Sequence, residues 1–105
     1  MALIEVDGCV YDEEQFAYFN GYARLDPVGR EAFVNHTHVS GDDRAEAAER
    51  IIQGWSAEMR LRWPGLTFRI YRHVEADEVT IRFHVVRPGV PSWCERGVEV
   101  ILVNG

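Results

Sequence analysis

The residues able to do chemistry are few and scattered along the chain. His36-Thr37-His38 puts two imidazoles on one side of an extended segment, where both could reach one metal ion. Such a site needs a third ligand and preferably a fourth. Only His73, His84, Cys9, Cys94 and carboxylates remain to supply them, so no metal is assigned and no cofactor is expected. Asp7 comes after an apolar run. At a pocket mouth, lifted in pKa by apolar neighbours, a carboxylate there would serve as a general base near neutrality. An Asp before a Gly at a strand end is more commonly a turn residue. Trp93-Cys94 lies in a stretch rich in Pro and Gly. Cys94 as a nucleophile needs a neighbouring base, for which His84 is the candidate. Trp93 reads as an interface anchor or as a side chain folded back over the core.

Any site must be positioned by the elements around it, and the most legible of these is residues 66–86. Two stretches of period-2 alternation meet at Glu75-Ala76-Asp77-Glu78. A turn that sets Val74 against Val79 also sets Ile70 against Phe83 and Phe68 against Val85. A one-residue slip would turn one strand's apolar set to water. The same register lines up His73 with Thr80, Tyr71 with Arg82 and Arg69 with His84. That second face is cationic and aromatic. It reads as a solvated or dimer-covered outer face, or as a surface for an anionic or aromatic group.

Further strands are expected near residues 2–7, 33–39 and 98–103. In the middle one, Phe33, Asn35, Thr37 and Val39 would alternate with Val34, His36 and His38. Helices are expected near 13–24, capped by Asp12, and near 44–62, capped by Asp43 with Glu46 three residues on. Ala48, Ile51, Ile52, Trp55 and Met59 form one apolar stripe on the second helix. Trp55 reads as core, or else as a stacking surface for a ligand. Asp26-Pro27 is another helix start, though the residues after it read equally as a loop. Trp63-Pro64-Gly65 stops the long helix. The expectation is one α+β domain, residues 1–105: a curved antiparallel sheet, its two central strands near 66–75 and 78–87, packed against two helices.

Composition narrows the classes. With 105 residues the chain is long enough for one core without metal or disulfide. No apolar run approaches the ~20 residues of a membrane span. The start, MALIEVDG, lacks the basic region of a signal peptide. A cytoplasmic protein that engages neither membrane nor nucleic acid is therefore expected, with Cys9 and Cys94 as thiols. The net charge of −6 is uneven: residues 1–52 hold eleven acids and four arginines, residues 53–105 six acids and seven arginines. All eleven basic residues are Arg, for which no physical reason is found.

The runs FVNHTHVSGDDRAEAAERIIQGW, RWPGLTFRIYRHVEADEVTIRFHVV and GVEVILVNG, with Asn35-His36, Pro64-Gly65, Asp77 and Val79 as landmarks, resemble the SnoaL-like polyketide cyclases. That family lies within the nuclear-transport-factor-2-like superfamily, and the resemblance covers residues 30–103. It implies a cone-shaped pocket between helices and sheet. It also implies a final strand that this chain carries at its start, as in a circular permutation that sets residues 2–7 beside residues 98–103. Asp7 would then be the base and His36 a proton donor or orienter. The face bearing Arg69, Tyr71, Arg82 and His84 would make a homodimer.

Two functions fit these signals. The first is a cyclase- or isomerase-like protein acting on, or binding, a small apolar carbonyl-bearing molecule. The second is a non-catalytic protein of the inhibitor, antitoxin or immunity type that binds a single protein partner. A hollow between the long helix and the sheet favours the first; a filled core favours the second.

Overall fold

The computed structural model describes residues 2–18, 26–91 and 97–105. Its elements run β1 (Leu3–Val6), β2 (Cys9–Asp12), α1 (Glu13–Ala17), α2 (Pro27–Val34), β3 (Thr37–Ser40), α3 (Arg44–Arg62), β4 (Phe68–Val74), β5 (Glu78–Val85) and β6 (Glu99–Val103). This is an α+β fold. β1 and β2 make a two-stranded sheet; the rest form a four-stranded sheet in the order β3-β5-β4-β6. β3 and β4 are each antiparallel to β5, so they run parallel to each other, joined by α3 with β5 between them.

The central hairpin has the register that its apolar residues dictate. Val74 pairs with Val79, Ile70 with Phe83 and Phe68 with Val85. Against this face lie Ala48, Ile52, Trp55 and Met59 of α3, all buried. Trp55 meets Phe83 edge-on, with ring centroids 4.8 Å apart; such pairs add about 0.5–1.5 kcal/mol beyond area burial. Along the middle of α3 the space against the sheet is filled by these side chains, and a groove remains where its first turns cross the sheet.

Four expectations are corrected. Residues 33–39 are not one strand: Phe33 and Val34 end α2, and β3 begins only at Thr37. The cap at Asp26 decides this, because its side chain accepts the Gly29 N–H at 2.6 Å and Pro27 opens the helix. The first strand does not pair with the last. β1 pairs with β2, and β6 pairs with β4. β2 escapes sequence reading because all four of its residues are buried, which erases the alternation. Asp43 stands at the start of α3 but makes no side-chain cap. Of the helix expected near 13–24, α1 spans Glu13–Ala17, capped by Asp12, whose side chain accepts the Gln15 N–H; residues 19–24 of that expectation lie outside the described residues.

The two sheets are joined by side chains rather than by a shared ladder. Glu31 and Asn35 project from the end of α2 between β2 and β5. Glu31 Oε2 accepts the Val10 N–H at 2.7 Å, and Oε1 accepts the Val85 N–H at 3.1 Å. Asn35 Oδ1 accepts the Asp12 N–H at 2.8 Å, and its Nδ2 donates to Val10 O at 2.9 Å and to Phe83 O at 3.4 Å. The other edge of the hairpin is closed in the same way: the Leu3 N–H donates to Glu58 Oε1 at 3.0 Å, and Arg62 donates to Leu3 O. Asn104, at φ 61°, donates to Met59 O, Trp63 O and Leu66 O, capping the end of α3 from the far end of the chain.

Removing Asn35 strands several buried backbone groups, each costing about 1–3 kcal/mol. Asn35→Ala should therefore lower the stability by about 3 kcal/mol in urea melts, with the α3–sheet packing unaltered. A loss below about 0.5 kcal/mol would show that the joint carries no weight.

Candidate functional site

Of the residues singled out from sequence, Tyr71 and His84 meet, whereas Asp7 and His36 share no hydrogen bond or ion pair among the described residues. Asp7 is exposed, with φ 51°, and with Gly8 at φ 80° it forms the two-residue loop joining β1 to β2. Positive φ at both positions is what a tight hairpin turn demands. Asp7 is thus a turn residue, not a carboxylate at a pocket mouth. His36 is half-buried at the α2–β3 junction. Its Nδ1 bonds to Phe33 O, and its ring lies edge-on to Phe33 and His38. Trp55 is buried in the core, and its Nε1 donates to Asp12 Oδ2 at 3.1 Å, so it has no face for a ligand. Trp93 and Cys94 lie outside the described residues. Among the described residues, no three His, Cys, Asp or Glu side chains converge as a metal site.

The cationic, aromatic face of the hairpin is not an outer face throughout. Tyr71 and His84 are buried within the chain. Tyr71 Oη lies 2.8 Å from His84 Nε2, and His84 Nδ1 lies 3.0 Å from Val85 O. A carbonyl only accepts, so Nδ1 carries the proton and Nε2 accepts from the tyrosine hydroxyl. Burial pushes the His84 pKa down, and the nearby Arg69 and Arg87 push the same way, against the bond to Val85 O. His84 is therefore a neutral structural link between β4 and β5. A dimer contact or ligand contact through these two side chains is closed off. Arg82 is half-buried, and its Nη1 lies 3.4 Å from Ala32 O.

The buried acid that sequence reading misses is Glu31. It lies on one helical face with Val28, Ala32 and Asn35, all buried, and that i, i+3, i+4 spacing is the available signal. Arg87 Nη1 donates to Glu31 Oε1. Arg87 Nη2 reaches Gly8 O at 3.1 Å and lies 3.8 Å from Cys9 Sγ. Burial pushes the Glu31 carboxyl above its ordinary range, while Arg87 and the Val10 and Val85 N–H groups pull it back. All of these partners are donors, so the ionised carboxylate is the form they satisfy. The group is buried and its three donors all belong to the fold, so it is closed to solvent.

Two surface features bear on binding. One is a groove of about 450 Å3 where the first turns of α3 cross the β4–β5 hairpin, lined by Arg44, Ala45, Ala48, Arg72, Val74 and Val79 among others. Its arginines are already engaged. Arg72 donates to both oxygens of Glu99 and to Glu49, each at 3.0 Å, and Arg44 donates to Gly41 O and Ala76 O. The Arg72 hydrogen bonds hold Glu99 below the usual carboxylate range.

The second feature is the edge strand β6. The bonds from Val86 N–H to Thr67 O and from Glu75 N–H to Glu78 O fix which β4–β5 pairs exchange hydrogen bonds. Bonded pairs alternate in an antiparallel ladder, so Arg69, Tyr71 and His73 bond to β5, while Phe68, Ile70 and Arg72 face β6. Their partners there are Val103, Ile101 and Glu99. Val100 and Leu102 therefore direct their N–H and C=O groups to the open edge. Their side chains are exposed as well, at 40% and 56%. Among the described residues no strand covers this edge.

Two measurements check the electrostatics. In an NMR titration the His84 midpoint should lie below the ordinary 6.5, with the proton on Nδ1. For Glu31, a folded pKa above the unfolded one means that its contribution is fullest below the unfolded carboxyl pKa and is lost as pH rises through the folded value. Arg87→Met raises that folded pKa further, so it should destabilise more at about pH 7.5 than at about pH 4.5, by on the order of 1–2 kcal/mol. Equal losses at both pH values would contradict this account. No protein-family model, curated protein or solved structure matches this chain.

Proposed function

We propose that this chain is a non-catalytic protein-binding module, of the inhibitor, antitoxin or immunity kind, to which a single partner adds an extended segment along β6. The observation that carries this reading is the doubly open pair Val100 and Leu102, whose backbone groups and side chains both face outward. Soluble proteins usually defend such an edge with Lys, Pro or a bulge. β6 has none of these, and its one charge, Glu99, is held by Arg72. The opposite side of the sheet is treated differently. β3 is short and largely polar, and beyond it the β5 edge is closed by Glu31 and Asn35. Strand addition uses such an edge for affinity and takes specificity from alternate side chains.

The side chains that fill the middle of the α3–sheet interface favour the same reading over small-molecule turnover. A cyclase- or isomerase-like activity would need an acid other than Asp7, which stands in a solvent-facing turn.

Leu102→Pro tests the proposal. The ladder bonds of β6 to β4 run through residues 99, 101 and 103, so proline at 102 removes an outward donor and no internal bond. The fold should survive with a stability change within about 1 kcal/mol. With p-benzoylphenylalanine replacing Val100, one host protein should photo-crosslink saturably, and the crosslink should vanish when Leu102→Pro is added. A crosslink unaffected by that substitution overturns the proposal.

A further inference from the structure

Arg69 stands beside Leu102 in the ladder, on the same face of the sheet. Its guanidinium carbon lies 5.7 Å from the centre of the Tyr71 ring. Its Nε is buried and has no hydrogen-bond partner, and among the described residues no carboxylate pairs with it. The Nε is closed off, as is that of Arg30; Arg69 as a whole is half-buried, and the charge of its guanidinium, with no carboxylate beside it among the described residues, is what an incoming acid would meet. The two basic neighbours supply no acceptor: His84, across the ladder, has its accepting Nε2 taken by Tyr71, and Arg87 carries donors only. Glu99 lies on the opposite face, engaged by Arg72. The same face thus carries two exposed apolar side chains and one unanswered cation next to an open strand edge.

We infer that the segment received by β6 carries an acidic side chain among apolar ones, at the position flanking Leu102, where its carboxylate binds Arg69. This inference rests on the edge-docking reading above and adds the chemistry of the partner to it. The reach is adequate. Strands lie about 4.8 Å apart, so the added strand runs about 10 Å from β4, a gap that an Arg and a Glu side chain span together across Leu102. A charge-assisted bond of this kind also orients the segment. A run of acids is disfavoured, because the chain itself carries a net charge of −6; a single acidic position is not. A second copy of this chain fits less well. Paired antiparallel about Ile101, it would set Val100 of the other copy beside Leu102 and leave Arg69 unanswered.

The test uses three end-blocked peptides of alternating Val and Thr that differ only at the central residue: Glu, Gln or Lys. Binding to the intact chain is read by fluorescence anisotropy. The Glu peptide should bind about tenfold tighter than the Gln peptide, with Lys the weakest. Arg69→Met should abolish the preference while retaining residual binding, since among the described residues Arg69 makes no hydrogen bond. Equal binding of the Glu and Gln peptides, or a preference that persists in Arg69→Met, overturns this inference and leaves the docking edge standing. Failure of all three peptides overturns both. A dimer seen by analytical ultracentrifugation and dispersed by Leu102→Pro also overturns the inference, because a second copy paired about Ile101 sets no acid beside Leu102.

Discussion

The carboxylate of Glu31 is the point on which the architecture turns. Its two oxygens answer backbone donors on two separate sheets, and Arg87 compensates its charge from a third direction. Burying an ion costs several kcal/mol unless each lone pair is satisfied, and here the surroundings supply the donors. With Asn35 one turn later, the end of α2 stands in for a strand between the sheets. The N-terminal hairpin is held at its other edge by Glu58 and Arg62 of α3. Both edges of that hairpin are therefore tied to the rest of the molecule through helical side chains.

This arrangement explains which parts of the fold are legible in the sequence and which are not. The β4–β5 hairpin and α3 are legible because each buries one face and leaves the other wet, so periodicity shows directly. Trp55 is legible as core for the same reason. β2 is hidden, since Cys9, Val10, Tyr11 and Asp12 are all buried and present no alternation. The stretch Phe33–Asn35 misleads because alternate residues also satisfy a helix end, and the Asp26 cap decides which wins. Asp7 looks like a candidate acid only while its strand is paired with the wrong partner. In sequence Arg69 is no more than one member of a cationic face; that its Nε lacks an acceptor is a fact of three-dimensional placement.

The second face of the hairpin shows how composition alone misassigns surface. Arg, Tyr and His in alternation suggest exposure, yet Tyr71 and His84 satisfy each other and disappear into the interior. What remains outward is displaced to β6, where ordinary aliphatic residues carry no chemical label. The open edge of the sheet is thus a stretch that sequence alone does not single out.

Asn104 has a consequence of a different kind. Its amide nitrogen serves three carbonyls at the end of α3, and the next residue is Gly105. Asn-Gly is the sequence context in which succinimide formation meets least steric hindrance. Deamidation there would replace a donor with a carboxylate facing three acceptors, so that slow chemical ageing, without any change of gene, would loosen the clamp on the helix.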